Sequence, residues 1–129
     1  MIPSLKPGAK LLKVDGPTIE TARLILRPWR ISDIAANTAM LSDPGTARFI
    51  APDGVAITTE IGGWRNAAVI SGHWALYGFG MFAVEEKSSG QYIGRVGPWC
   101  PPGWPGFEVG WGIAREWRGV KVPGHAQEV

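Results

Sequence analysis

The sequence predicts an α+β domain in which one strand and two helices precede a three-stranded antiparallel meander. Apolar and polar residues alternate over residues 23–27 and again between residues 78 and 113, whereas apolar residues recur at helical spacing between these stretches. The chain has 129 residues, of which 45% are hydrophobic and 19% charged, values typical of one globular domain. Together these observations predict the fold class.

The first predicted strand runs from Arg23 to Arg27, with Leu24 and Leu26 on one face. Pro28 limits it, because proline has no backbone N–H to donate to a sheet. Residues 1–20 contain three prolines and two glycines, and we interpret them as a leader.

The first predicted helix begins after Ser32, whose hydroxyl can accept a hydrogen bond from a free amide of the first turn. Its face is formed by Ile34, Thr38 and Leu41, and the segment 43–45, which contains a proline, ends it.

The second predicted helix follows the candidate capping residues Thr58 and Thr59 and ends at Gly72. Two glycines near its start each lower its stability by about 1 kcal/mol relative to alanine. Its apolar face is predicted to consist of Ile61, Trp64, Ala68 and Ser71.

The meander is predicted from three extended segments, residues 78–86, 91–99 and 107–113. Residues 87–90 form a turn, in which Gly90 can adopt the positive φ that a tight reversal often needs. Residues 100–106 are rich in proline and glycine, so they form a loop.

The last predicted strand has two different faces. One face is predicted to belong to the core and consists of Phe107, Val109, Trp111 and Ile113. The other carries Glu108 followed by Gly110 and Gly112, which leave the backbone open to a ligand beside a carboxylate that could act as a general base. Alternatively, Glu108 is a solvated surface residue and the glycines accommodate a bulge or a closely packed neighbour.

Four segments resemble, in order, the first four strands of the GNAT acetyltransferases, in the branch named for ribosomal-protein N-terminal acetyltransferases. They are residues 21–29 (TARLILRPW), 78–86 (GFGMFAVEE), 92–97 (YIGRVG) and 107–111 (FEVGW). The resemblance extends from about residue 20 to Gly119 and implies the N-terminal part of the GNAT fold, with the C-terminal half missing.

The resemblance implies an enzyme that transfers an acetyl group from acetyl-CoA to a primary amine of a protein N-terminus or a small molecule. Acetyl-CoA is then a co-substrate and no metal is required. Gly112, Ile113 and Ala114 correspond to the backbone that contacts the pantetheine arm. Glu108 corresponds to the glutamate that serves, directly or through water, as the base for the acceptor amine.

The family continues with a glycine-rich turn into a helix, whose free amides hold the pyrophosphate. Arg118 and Gly119 fit the start of this turn, but Pro123 interrupts a helix there. We therefore expect a leader over residues 1–20, a partial acetyltransferase domain over residues 21–119 and a non-family tail over residues 120–129. Such a chain, truncated within the acetyl-CoA motif, is expected to be inactive or weakly active and to self-associate through an exposed sheet edge.

Trp99 and Trp104 flank the proline-rich loop, which in this branch lies near the acceptor, and they are candidate acceptor-binding residues. The rival hypothesis is a non-enzymatic module that binds a glycan or a peptide on these two tryptophans.

Other functional classes are disfavoured. The formal net charge is only +2, without the concentrated basic face that nucleic-acid binding needs, and no segment approaches a membrane span. Cys100 is the single cysteine, and His73 and His125 have no ligand partners at metal-binding spacing. A cytoplasmic location is the default expectation.

Overall fold

A computed structural model describes residues 6–8, 16–50 and 53–117 of the chain. Its five strands form one antiparallel sheet in chain order. The strands are β1 (Ile19–Glu20), β2 (Leu24–Arg27), β3 (Phe82–Glu86), β4 (Tyr92–Trp99) and β5 (Glu108–Ile113). Three helices, α1 (Asp33–Ser42), α2 (Pro44–Ile50) and α3 (Glu60–Tyr77), separate β2 from β3, and a 3-10 helix (Arg115–Trp117) follows β5. The predicted α+β class and the antiparallel meander are confirmed.

One face of the sheet carries an apolar cluster, against which Trp74 and Trp117 pack. Side chains alternate between the faces of a sheet, and residues paired across strands share a face. The pairs of Leu26 with Val84 and of Phe82 with Val96 therefore lie together. The buried members of the cluster are Leu24, Leu26, Phe82, Val84, Ile93 and Val96. The predicted core role of Leu24 and Leu26 is confirmed.

The opposite face carries the buried side chain of Arg27, which joins the sheet to α1 by hydrogen bonds. The guanidinium of Arg27 donates to both carboxylate oxygens of Asp33 in α1, at 2.8 and 3.0 Å, and to Glu85 at 2.9 Å. The hydrogen bonds to Asp33 raise the pKa of Arg27. The same Asp33 carboxylate accepts the backbone N–H of Arg30, which precedes α1, and Ser32 makes no side-chain capping hydrogen bond. The predicted side-chain cap by Ser32 is therefore wrong.

The segment that was expected to end the first helix also begins another one. α1 ends at Ser42, as predicted, but Pro44 is the first residue of α2. Proline suits this position because the first amide of a helix has no partner within the helix. Asp43 accepts hydrogen bonds from the amide of Gly45 and from the hydroxyl of Thr46, which fixes the start of α2.

The second predicted helix corresponds to α3, and its predicted N-cap is confirmed because the hydroxyl of Thr59 accepts the Gly62 amide at 3.0 Å. The helix continues past Gly72 to Tyr77 and ends at Gly78, which has the left-handed φ of 76°. The predicted face was wrong, since Ile61 and Trp64 are exposed. The buried residues are Gly63, Ala67, Ile70 and His73.

The predicted core face of the last strand is also wrong for three of its residues. Phe107, Val109 and Trp111 are 65%, 64% and 57% exposed. Alternation shows which side chains share a face, but not whether another element covers that face. β5 is the last strand in the order of the sheet, so its partner among the described residues is β4 alone. Self-association through this surface stays a prediction.

Candidate active site

A cavity of about 520 Å³ lies between α3 and the C-terminal strands of the sheet. Residues from α3, from β4 and β5 and from the loop that joins these strands line it. Three residues that the sequence singled out, Trp99, Trp104 and Glu108, are among its walls. This is the size range of pockets that hold small molecules.

Strand register explains why two of these residues meet. Trp99 ends β4 and pairs with Glu108, which begins β5, so their side chains lie on the same face of the sheet. The carboxylate of Glu108 is exposed, and no described residue forms an ion pair with it. Its oxygens are therefore accessible to a ligand in the cavity.

His73 anchors the wall formed by Trp99. The two rings stack with centroids 4.4 Å apart and planes 17° from parallel. Nε2 of His73 accepts the backbone N–H of Cys100 at 3.1 Å, so Nδ1 must carry the proton and donates to the Phe79 carbonyl at 2.7 Å. A neutral imidazole thus ties α3 to the start of the loop that carries Trp104. The sequence did not indicate this structural role.

The hypothesis of a glycan-binding or peptide-binding platform loses support from this packing. Trp99 is only 8% exposed, and its ring stacks on His73. A platform of two exposed tryptophans is therefore not present. Trp104 is half-buried and contributes to the cavity wall.

A chain of polar side chains that the sequence did not indicate runs from Tyr92 to Arg95, which lines the cavity. The hydroxyl of Tyr92 donates to the side-chain oxygen of Asn37 at 3.1 Å, and the amide nitrogen of Asn37 donates to Asn66 Oδ1 at 3.0 Å. Arg95 donates to the same Asn66 oxygen at 2.7 Å and to the carbonyl of Ile50 at 2.9 Å. Burial raises the pKa of Tyr92 and lowers the pKa of Arg95.

A sequence signal for Arg95 existed. It is the single charge within the strand segment 92–97, and its exposed fraction is 3%. Arginine is rarely fully buried unless it is paired with an anion, so a lone arginine in an apolar strand indicates a function or a network.

The predicted cofactor contacts on β5 have different surroundings. A Cβ on Gly112 would lie 2.9 Å from Ile50 of α2, so this glycine accommodates a closely packed neighbour, as the alternative hypothesis proposed. The amide of Ala114 donates to the Ile93 carbonyl at 2.8 Å and thus belongs to the ladder with β4. Alternation in that ladder directs the backbone groups of Val109, Trp111 and Ile113 to the outer edge of the sheet. Arg118 and Gly119 lie outside the described residues.

Within residues 6–8, 16–50 and 53–117, no three His, Cys, Asp or Glu side chains are grouped so that they could hold a metal ion. None of the helices in that part of the chain is long and apolar enough to cross a membrane.

The fold and the cavity define an α+β enzyme-like domain, and a family comparison identifies its class. Residues 23–128 match the family model described as "Acetyltransferase (GNAT) domain". The chain belongs to the GNAT acetyltransferase family. The match includes residues 120–128, so the boundary that the sequence suggested at Gly119 stays a prediction.

Solved structures have the same fold. The chain is similar to an acetyltransferase from Agrobacterium tumefaciens str. C58, with a TM-score of 0.71 and 24% identity over 94% of this chain and 66% of that one. It is similar to a putative GnaT-family acetyltransferase from Bordetella pertussis, with a TM-score of 0.66 and 24% identity over 87% of this chain and 65% of that one. A GNAT-family acetyltransferase from Bacillus anthracis matches with a TM-score of 0.66 and 22% identity over 87% and 60%.

The chain thus spans between 60% and 66% of the length of these structures, which is less than two thirds. No curated protein matches it.

Proposed function

We propose that this chain transfers the acetyl group of acetyl-CoA, at the low rate that the sequence predicts for it, to a primary amine that binds in the cavity between α3 and strands β4 and β5. The observation that carries the proposal is the meeting of Trp99, Trp104 and Glu108 in one cavity of about 520 Å³ in a GNAT-family chain. An open carboxylate beside two indole rings suits an amine whose carbon skeleton is apolar.

Glu108 is the proposed general base. An alkylamine has a reference pKa near 10.4, so at neutral pH it is almost entirely protonated and cannot attack an acyl group. Glu108 accepts this proton, directly or through one water, and the lone pair of the nitrogen forms the new C–N bond. The C–S bond of the thioester breaks, and coenzyme A leaves as a thiolate that takes up a proton. No covalent bond to the protein is needed.

Acetyl-CoA, when bound, supplies the acetyl group as a thioester. The proposed contacts are the β5 backbone, including Gly112, Ile113 and Ala114, with Arg118 and Gly119 as proposed contacts of the pyrophosphate. Because the Ala114 amide donates to β4, the outward-facing backbone groups of Val109, Trp111 and Ile113 fit a pairing ligand better than those of Gly112 and Ala114. Gly110 has no side chain, and the flexible end of Met81 is its neighbour on the cavity side.

The proposed acceptor is a protein N-terminus or a small-molecule amine, and the first belongs to the branch that the four strand segments resemble. Trp99 and Trp104 are the proposed contacts for its apolar part.

The experiment compares Glu108→Gln with the unchanged chain, using acetyl-CoA, a panel of primary amines and release of the coenzyme A thiol as the readout. The amide keeps the size of the side chain but cannot accept the proton, so the turnover rate should fall by about 100- to 10,000-fold. Affinity for acetyl-CoA should change little, because its proposed contacts are with backbone groups of β5 and not with the Glu108 side chain. Raising the pH should restore part of the rate by deprotonating the free amine.

Glu20→Gln is the matched control, because Glu20 is an exposed carboxylate on β1, far along the sheet from the cavity. It should leave the turnover rate unchanged. Equal rates for the unchanged chain and Glu108→Gln would assign the proton to another acceptor and refute the role of Glu108. Absence of acetyl-CoA binding to the full chain would refute the proposed activity.

A further inference from the structure

The cavity contains a buried positive charge that no described residue neutralises. Arg95 lines the cavity and is 3% exposed. Two of its five N–H groups donate, one to the amide oxygen of Asn66 and one to the carbonyl of Ile50, and both acceptors are neutral. The other deeply buried arginine, Arg27, has two carboxylate partners within 2.9 Å. Carboxylates therefore neutralise the buried charge of Arg27, whereas no described carboxylate neutralises that of Arg95.

A buried cation without a counter-ion is costly, because the low-dielectric interior does not replace the solvation that it loses. Burial accordingly lowers the pKa of Arg95, and the charged or titratable neighbour that opposes this effect is the phenol of Tyr92. Among the described residues, no carboxylate forms an ion pair with Arg95. A ligand in the cavity can supply the missing negative charge.

We propose that the amine acceptor carries a carboxylate, which Arg95 binds while the amine lies at Glu108. This inference rests on the proposed function, since it names the class of acceptor: an amino acid or a related amino-carboxylate. A carboxylate fits because its two oxygens match the parallel N–H groups of a guanidinium and its single charge balances that of Arg95.

Strand register sets the spacing of the two groups. Arg95 pairs with Gly112 and Trp99 with Glu108, so both charged side chains lie on the cavity face of the sheet. Gly112 and Glu108 are four residues apart, a distance of about 13 Å between Cα atoms at 3.3 Å per residue, which the two side chains shorten. The intervening pair, Gly97 and Gly110, has no side chains. A short ω-amino acid can span this gap, while a compact α-amino acid spans less of it.

Arg65 adds a second cation to the cavity wall. It is exposed and has no ion-pair partner among the described residues. Because water screens the charge of Arg65, we expect this residue to increase the rate at which an anion enters the cavity and to contribute little to the affinity.

The test measures binding to the full chain by calorimetry, with 5-aminopentanoate, pentylamine and adenosine 3′,5′-bisphosphate as probes. The first two differ only in that a carboxylate replaces a methyl group, and the third carries phosphates of coenzyme A without an alkylamine. We expect 5-aminopentanoate to bind at least about 10-fold more tightly than pentylamine, from hydrogen bonds to a charged group. Equal affinity for these two probes would overturn the proposal, and so would a bisphosphate that competes with 5-aminopentanoate for Arg95.

Asn66→Asp tests Arg95 without removing it. The new carboxylate lies where the present amide oxygen accepts hydrogen bonds from Arg95 and Asn37, at 2.7 and 3.0 Å, so both bonds can be kept. An internal counter-ion should then abolish the preference for 5-aminopentanoate, while pentylamine binding is maintained. Ser71→Asp, which adds the same charge to α3 outside the cavity lining, should keep the preference.

Persistence of the preference in Asn66→Asp would refute the role of Arg95, and the comparison of probes on the unchanged chain needs no variant to fold. Both readouts are binding measurements. A chain that binds amino-carboxylates through Arg95 but transfers no acetyl group would refute the proposed activity alone. A chain that acetylates pentylamine and 5-aminopentanoate equally well would refute the carboxylate site alone.

Discussion

Two glycines in α3 should respond in opposite ways to the same substitution. A Cβ on Gly63 would overlap the hydroxyl of Thr38 in α1 and lie 2.7 Å from both Cβ and Cγ2 of that residue. A Cβ on Gly72, in the same helix, would have no heavy atom within 4 Å. Gly63 therefore lies at a close approach of α3 to α1, whereas Gly72 has no such contact.

The magnitudes follow from two opposing terms. Alanine in place of glycine stabilises a helix interior by about 1 kcal/mol at either position. Overpacking costs typically 1–3 kcal/mol, and the overlap with Thr38 includes an atom next to the backbone, so about 3 kcal/mol applies at Gly63. Gly63→Ala should thus lower the free energy of unfolding by about 2 kcal/mol. Gly72→Ala should raise it by about 1 kcal/mol.

Thermal unfolding followed by circular dichroism measures both changes. At about 4 °C per kcal/mol for a domain of this size, Tm should fall by about 8 °C in Gly63→Ala and rise by about 4 °C in Gly72→Ala. Adding Thr38→Ala removes two of the three overlapping atoms, so the double variant should recover part of the loss, as a coupling of about 1 kcal/mol. A higher Tm in Gly63→Ala, or no coupling to Thr38, would show that the helices do not touch there.

Three further substitutions test the buried polar groups. Asp33→Asn leaves the buried Arg27 with one carboxylate partner instead of two, and chemical denaturation should show a loss of about 3 kcal/mol. Burial raises the pKa of Tyr92, so its contribution to stability is complete below the unfolded pKa near 10 and is lost as pH rises toward the folded value. Above pH 10, the free energy of unfolding measured with urea should therefore decline by up to about 1.4 kcal/mol per pH unit, and Tyr92→Phe should remove this decline. His73→Phe keeps a stacking ring but loses two hydrogen bonds, so Tm should fall and amide exchange at Cys100 should accelerate.

Local patterns determined most of the architecture. Alternation predicted the meander and the core face of Leu24 and Leu26, because the period of two along a strand is a property of the backbone itself. Thr59 and Gly90 were predicted from the local geometry of a cap and a turn, and the structure has both, with φ of 70° at Gly90. The carboxylate and glycine pattern of β5 was the sequence signal for the candidate site.

Tertiary structure alone decided which faces are covered and which side chains meet. Trp111 has the alternation of a core residue and is 57% exposed, because a residue's period does not reveal whether another element packs against it. From the sequence, Gly63 was expected only to weaken its helix. In the structure, its missing side chain leaves the space that Thr38 of α1 occupies against α3. The charge of Arg95 was visible in the sequence, but its hydrogen-bond acceptors were not. They belong to α2 and α3, which are distant along the chain and meet Arg95 only when the helices pack on the sheet, and both are neutral.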